Sequence, residues 1–242
     1  MLTGRREPLA IVLTLVGAQL YLLLAGDLLP ARQNPSDAAL IAGSVGICVV
    51  VAAAAAIVPL GDEPVLLALA AFGAGVLAVA LAAADVGAQA SVAEAVAYAA
   101  VGSLFAIATQ TPALVLVLPL FVGAVDFGSG LIGGGEAVGL VMTGDPAGDL
   151  LAMAVPGWEG RPDPARLGIA EAVFLGVFLT YARRFGLRPL SVIAGCASWM
   201  VAVFALELRQ DVVVPAVPVL ALVLFAVNLD QLRALSRLAR DG

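Results

Sequence analysis

The chain contains no histidine and no lysine, and its two cysteines stand apart from one another. Cys48 and Cys196 each lie inside an apolar run without a Cys-x-x-Cys partner, so the ligand sets of zinc sites and the pairs of a disulfide framework are missing. Both read as small core residues. No metal and no organic cofactor is implied. Charge is scarce as well: 12% of the 242 residues are charged against 62% hydrophobic, and the mean hydropathy is +1.07. That balance excludes a water-soluble domain and points to a polytopic membrane protein in contact with the lipid bilayer. All twelve cations are arginine and eighteen acids bring the net charge to −6, which excludes a nucleic-acid surface. Most of the acids read as solvated loop charges. A Lys-free, acidic chain rich in Ala, Val and Gly fits a high-GC or salt-adapted microbe, so a prokaryotic plasma membrane is the expected location.

What is present in abundance is long apolar runs. Stretches able to cross about 30 Å of hydrocarbon fall near 8–29, 38–60, 64–85, 91–110, 112–133, 167–184, 189–208 and 212–234. The expected fold is an all-α bundle of about eight spans forming one membrane domain over 1–242. "PARQNPSD", "GDEP", "DVGAQ", "QTP", "RRFGLRP" and "ELRQD" separate the spans with Pro, Gly and charge. The N-terminus carries Arg5 and Arg6 before an apolar stretch, like a signal peptide, but the stretch is long enough to be a retained first span. Residues 134–166 are too broken by Gly and Pro for another span. They are expected to form a structured loop of amphipathic surface character, with "LLAMAV" as a re-entrant turn or short strand the other options. The small residues of spans two to four, as in "AAFGAGVLAVALAAA", are expected to be a close-packing surface.

Arginine placement predicts orientation, because cations near span ends are retained on the cytoplasmic side. With the N-terminus inside, Arg5, Arg6, Arg183, Arg184, Arg188, Arg233, Arg237 and Arg240 are cytoplasmic, and Arg32, Arg161, Arg166 and Arg209 are outside. Both termini are thus expected to be cytoplasmic and the 134–166 loop external.

Two acids sit within apolar runs, where an ionised group costs several kcal/mol unless it is paired, hydrated or neutralised. Asp126 follows Pro112 by 14 residues, about 21 Å along a helix, which leaves roughly 9 Å to the outer face. Glu171 enters from that same face about 7 to 8 Å deep, counted from Arg166. The two carboxyl groups are therefore predicted at similar depth on consecutive spans. Such a pair can share one proton and serve as base and acid toward water. A plainer account is also open: Glu171 suits the positive end of a helix dipole, and Asp126 beside "FGSG" suits a frayed helix end. Glu94, Tyr98, Ser103, Asn228 and Asp230 read as interhelical hydrogen-bonding or end-effect residues, and Trp158 and Trp199 as packing and interface residues.

Three segments resemble, in order, the motifs of the presenilin and signal peptide peptidase class of intramembrane aspartic proteases, particularly its archaeal members. "TPALVLVLPLFVGAVDFGSG" is similar to the family helix whose catalytic Asp follows a Tyr; here Val125 precedes Asp126. "LGIAEAVFLGVFLTYA" is similar to the Leu-Gly-x-Gly-Asp helix, with Gly168 at the first Gly, Ala170 at the second and Glu171 at the Asp. In "VVPAVPVLAL", Pro215, Ala216 and Val217 stand where the family has Pro-Ala-Leu. The likeness covers 91–234, and the family usually has nine spans rather than eight. It implies Asp126 and Glu171 as catalytic acids, and Gly168, Pro215, Ala216 and Val217 as substrate-binding positions. It further implies transmembrane segments of other membrane proteins as substrates or ligands. A proline without an N–H suits contact with a locally extended substrate, and the Gly-rich "GSGLIGGG" would give the rim of the site mobility. Glu in place of Asp adds a methylene and moves the carboxyl group by more than about 1 Å, so a catalytically silent helix-binding adaptor or chaperone is an alternative. A small proton-coupled transporter using both acids as relays is another.

Overall fold

A computed structural model of the protein describes residues 6–30, 32–84, 87–132, 140–141, 152–210 and 213–241. Among these are eight α-helices: α1 (Arg6–Leu28), α2 (Pro35–Ala56), α3 (Pro64–Ala83), α4 (Ser91–Ala108), α5 (Pro112–Ile132), α6 (Ile169–Arg184), α7 (Pro189–Gln210) and α8 (Ala216–Asp241). Four of them begin on a proline, which fixes φ for the first turn and lacks only an N–H that would have no helical partner there. Asn34 caps α2 by accepting the Ser36 N–H at 3.1 Å.

Among the described residues, six helical segments are long and apolar enough to cross a membrane. α5 carries a shorter apolar stretch, Pro112–Gly128, and α6 has 16 residues. The helical bundle expected from the sequence is present, and its helices are those of an integral membrane protein.

α6 is the centre of the bundle. Every residue from Leu175 to Ala182 is buried, and α4 lies closest to it. Their approach is set by two reciprocal glycines: a Cβ on Gly176 would land on the Ala99 carbonyl of α4, and one on Gly102 would land on the Val173 carbonyl of α6. Ser103 Oγ donates to the Gly176 carbonyl at 3.3 Å along the same seam. Backbones this close permit extensive dispersion contact, the main source of helix association where lipid removes the hydrophobic drive. α2 packs on α4 and α7, α8 joins α7 to α6, and α1 and α3 lie at the edge. The stretch "AAFGAGVLAVALAAA" on α3 does not behave as expected: Gly73 and Gly75 have open space around them and Phe72 is 74% exposed. The close-packing glycines are instead Gly43 and Gly46 on α2, Gly102 on α4, Gly176 on α6 and Gly195 on α7. Cys196 is buried, as read from the sequence, whereas Cys48 faces outward.

The described part of the 134–166 loop is not the amphipathic surface loop expected but takes the short-strand option for "LLAMAV". It forms a buried antiparallel hairpin, β1 (Ala152–Val155) with β2 (Ala165–Gly168), paired from Ala152 with Gly168 to Val155 with Ala165. All four residues of β1 are buried. Strand edges inside a bundle must find partners, and these do. Ser91 Oγ donates to the Ala154 carbonyl at 2.7 Å. On the far side of β2, Arg166 N–H donates to the Leu140 carbonyl at 2.8 Å and Val141 bridges to Ala165. The turn is tied to α1 by Trp158 Nε1 donating to Tyr21 Oη at 3.2 Å and Gly160 N–H donating to the Gly26 carbonyl at 2.9 Å. A run of small apolar residues thus serves as packing under the helices rather than as a surface loop. Residues 133–139 and 142–151, including Gly133, Gly134 and Gly135 of the expected mobile rim, lie outside the described residues.

Because no rotamer relieves a side chain pressed on a carbonyl, Gly176→Leu is expected to destabilise the bundle by about 3 kcal/mol, the upper end of ordinary overpacking. Gly75→Leu, on the open face of α3, is expected to leave stability within about 0.5 kcal/mol. Thermal unfolding of the two variants in detergent checks both.

Candidate functional site

Asp126 lies inside α5, six residues before Ile132, and so is not at a frayed end. Its neighbours Val125 and Phe127 are both more than half exposed, while Asp126 itself is partly buried. The side chain turns toward α8, where the Val217 backbone N–H donates to its carboxylate. Gly123, one turn earlier, permits this approach: a Cβ there would stand 3.3 Å from Pro218 Cα. The acid of one helix therefore occupies the N-terminus of another, whose first N–H groups have no partner within the helix.

Glu171 is 8% exposed and occupies the third position of α6, with Gly168 as N-cap. Its carboxylate folds back to accept the Gly168 N–H and its own N–H. This is the returning half of a capping box, in which an acid at the third helical position satisfies the N-cap amide. The fit depends on glycine, since a Cβ on residue 168 would lie 2.6 Å from Glu171 Oε2. Glu171 is also within electrostatic reach of Asp126 and of Glu207. Asp126 and Glu171 thus each engage the start of a helix, Asp126 that of α8 and Glu171 that of α6.

Pro215 ends a non-helical stretch, and Ala216 and Val217, both buried, open α8. The first turn of α8 is held from two sides: Asp126 accepts the Val217 N–H, and Glu207 Oε1 accepts the Val214 N–H at 2.9 Å. Of the three Pro-Ala-Leu-like positions, Val217 meets Asp126, while Gly168 lies against Glu171.

The chain matches no family model, no curated protein and no solved structure.

Sequence reasoning missed Glu207. It stands at the end of a span in "FALELRQD" and was expected among solvated loop charges, yet it is 5% exposed. The signal was its register: Val192, Cys196, Met200, Val203 and Glu207 follow one another at helical spacing and form the buried stripe of α7. Glu94, buried at the start of α4, and Ser103 are likewise interior, and Asn228 sits at a break in α8 with φ −125°. Asn228 Oδ1 accepts the Arg188 N–H at 2.8 Å and its Nδ2 donates to the Leu224 carbonyl at 2.9 Å, while Asp230 pairs with Arg188 at 2.7 Å. A cavity of about 290 Å³ opens elsewhere, between α2, the hairpin turn and α7, and its lining includes Trp158, Arg161 and Pro164 but neither Asp126 nor Glu171. No cluster of three or more potential metal ligands occurs among the described residues.

The capping geometry separates two substitutions. Glu171→Gln keeps an oxygen for the Gly168 N–H and is expected to hold stability within about 0.5 kcal/mol, whereas Glu171→Ala is expected to cost about 1–2 kcal/mol. Unfolding of the purified protein in detergent measures the difference.

Proposed function

We propose that the protein is an intramembrane aspartic endopeptidase of the presenilin and signal peptide peptidase type, with Asp126 and Glu171 as its acids. The observation that carries this reading is that Asp126 binds the N–H of Val217 in the Pro-Ala-Leu-like segment, with Glu171 in electrostatic reach of it. One carboxylate, ionised, takes a proton from water as the water oxygen bonds to the scissile carbonyl carbon. The other, protonated, donates to the carbonyl oxygen. As the C–N bond breaks, the first acid returns its proton to the departing amine. The second, now ionised, takes a proton from one hydroxyl of the tetrahedral carbon, leaving a carboxylic acid and one protonated and one ionised carboxyl group. Peptide hydrolysis at this depth requires water, and the partial exposure of Asp126 supports an access route.

In this reading all eight helices cross the bilayer. α6 alone covers about 24 Å, and the extended β2 immediately before it adds about 13 Å. Both termini face the cytoplasm, the hairpin lies toward the outer side of a prokaryotic plasma membrane, and transmembrane segments of other proteins are the substrates. Pro215, Ala216 and Val217 receive the unwound substrate beside Asp126, and Gly168 borders Glu171.

One observation favours a second reading. The Glu171 carboxylate is already engaged by the N-terminus of its own helix, which suits a silent relative that binds transmembrane helices as an adaptor or chaperone.

Cleavage of model transmembrane peptides by the purified protein decides between them. The peptidase reading expects Asp126→Asn and Glu171→Gln each to lower cleavage at least 100-fold, and Glu171→Asp to match or exceed the wild type. Cleavage that survives both neutral variants rules the dyad out. No cleavage by the wild type, with peptide binding retained in both variants, establishes the adaptor.

A further inference from the structure

A third carboxylate stands behind the first two. Glu207, on the last full turn of α7, accepts three backbone N–H groups from two separate segments: Leu140 at 2.6 Å and Val141 at 3.1 Å through Oε2, and Val214 at 2.9 Å through Oε1. Each segment leads to one member of the candidate dyad. Leu140 and Val141 pair with the outer edge of β2, through Arg166 N–H to the Leu140 carbonyl and the Val141–Ala165 bridge, and β2 runs directly into Gly168 and Glu171. Val214 precedes Pro215, Ala216 and Val217, whose last N–H binds Asp126. Pro215 has no N–H, so Val214 supplies the nearest amide upstream of α8 that an acceptor can hold.

We infer that Glu207 is a positioning residue of the Asp126/Glu171 site, a clamp that fixes the start of α8 relative to β2 and so sets where a substrate backbone lies between the two acids. This rests on the peptidase reading for its catalytic consequence, and on the hydrogen bonds alone for the clamp. Both oxygens of the side chain are needed. A glutamine of the same size offers one oxygen and one NH₂, and the NH₂ must face an N–H, so one of the two segments is released.

The test uses the full-length protein in detergent micelles. Glu207→Gln is expected to speed amide hydrogen exchange at least tenfold at Val214 or at Leu140 and Val141. On a model transmembrane peptide it is expected to lower kcat at least tenfold and to spread the cleavage position, read by mass spectrometry, over neighbouring bonds. A smaller folded fraction alone would leave the cleavage position unchanged. Val214→Pro removes the donor and leaves the carboxylate in place; it is expected to reproduce the spread of cleavage positions, and it serves if Glu207→Gln does not fold. Exchange at wild-type rates in both segments of Glu207→Gln overturns the clamp. A single unchanged cleavage position in Glu207→Gln and Val214→Pro overturns its role in positioning. Absence of cleavage by the wild type removes the peptidase reading and the catalytic consequence together, and the exchange measurement still decides the clamp.

Discussion

Backbone amides at the starts of α6 and α8 need acceptors in a place where water is scarce, and three carboxylates supply them. Glu171 closes the first turn of α6 onto Gly168, Asp126 reaches across from α5 to Val217, and Glu207 holds Val214 just upstream. An unpaired amide in hydrocarbon costs several kcal/mol, and so does an unpaired carboxylate, so each group resolves the other's penalty. These three acids therefore serve the starts of α6 and α8, two of them from neighbouring helices. The same requirement draws Asp126, Glu171 and Glu207 toward one region.

The rest of the architecture serves that region. α6 is encased along most of its length, and the hairpin before it is paired on both edges, by Ser91 on β1 and by Leu140 and Val141 on β2. Rigid surroundings of this kind limit how far Glu171 can move. α5, in contrast, is packed mainly along α8 and keeps exposed apolar side chains such as Phe121 and Val125. One acid is set on an encased element and the other on a more peripheral one.

Much of this was legible in the chain itself, because hydropathy and punctuation by Pro and Gly report helix length and ends directly. The eight helices follow from runs and counts. Three features did not. The hairpin is built from "AMAV" and "ARLG", segments too short to establish a period of two, so a strand at "LLAMAV" stood only as one option beside a surface loop. Glu207 was lost to its position near a span end, where a charge is ordinarily solvated; only its register with Met200 and Val203 betrayed burial. The glycines of α3 look identical in sequence to those of α4 and α6, and composition cannot tell a face that meets another backbone from one that does not.

The seam between α4 and α6 carries a consequence for biosynthesis. Its members are far apart in the chain, Ser103 and Gly176 being 73 residues distant. During translation the narrow face of α4 emerges long before the segment that will cover it, and the hairpin must emerge in between. α4 thus waits with that face uncovered until α6 arrives, and α5, which packs along α8 rather than on the helices made before it, waits longer still.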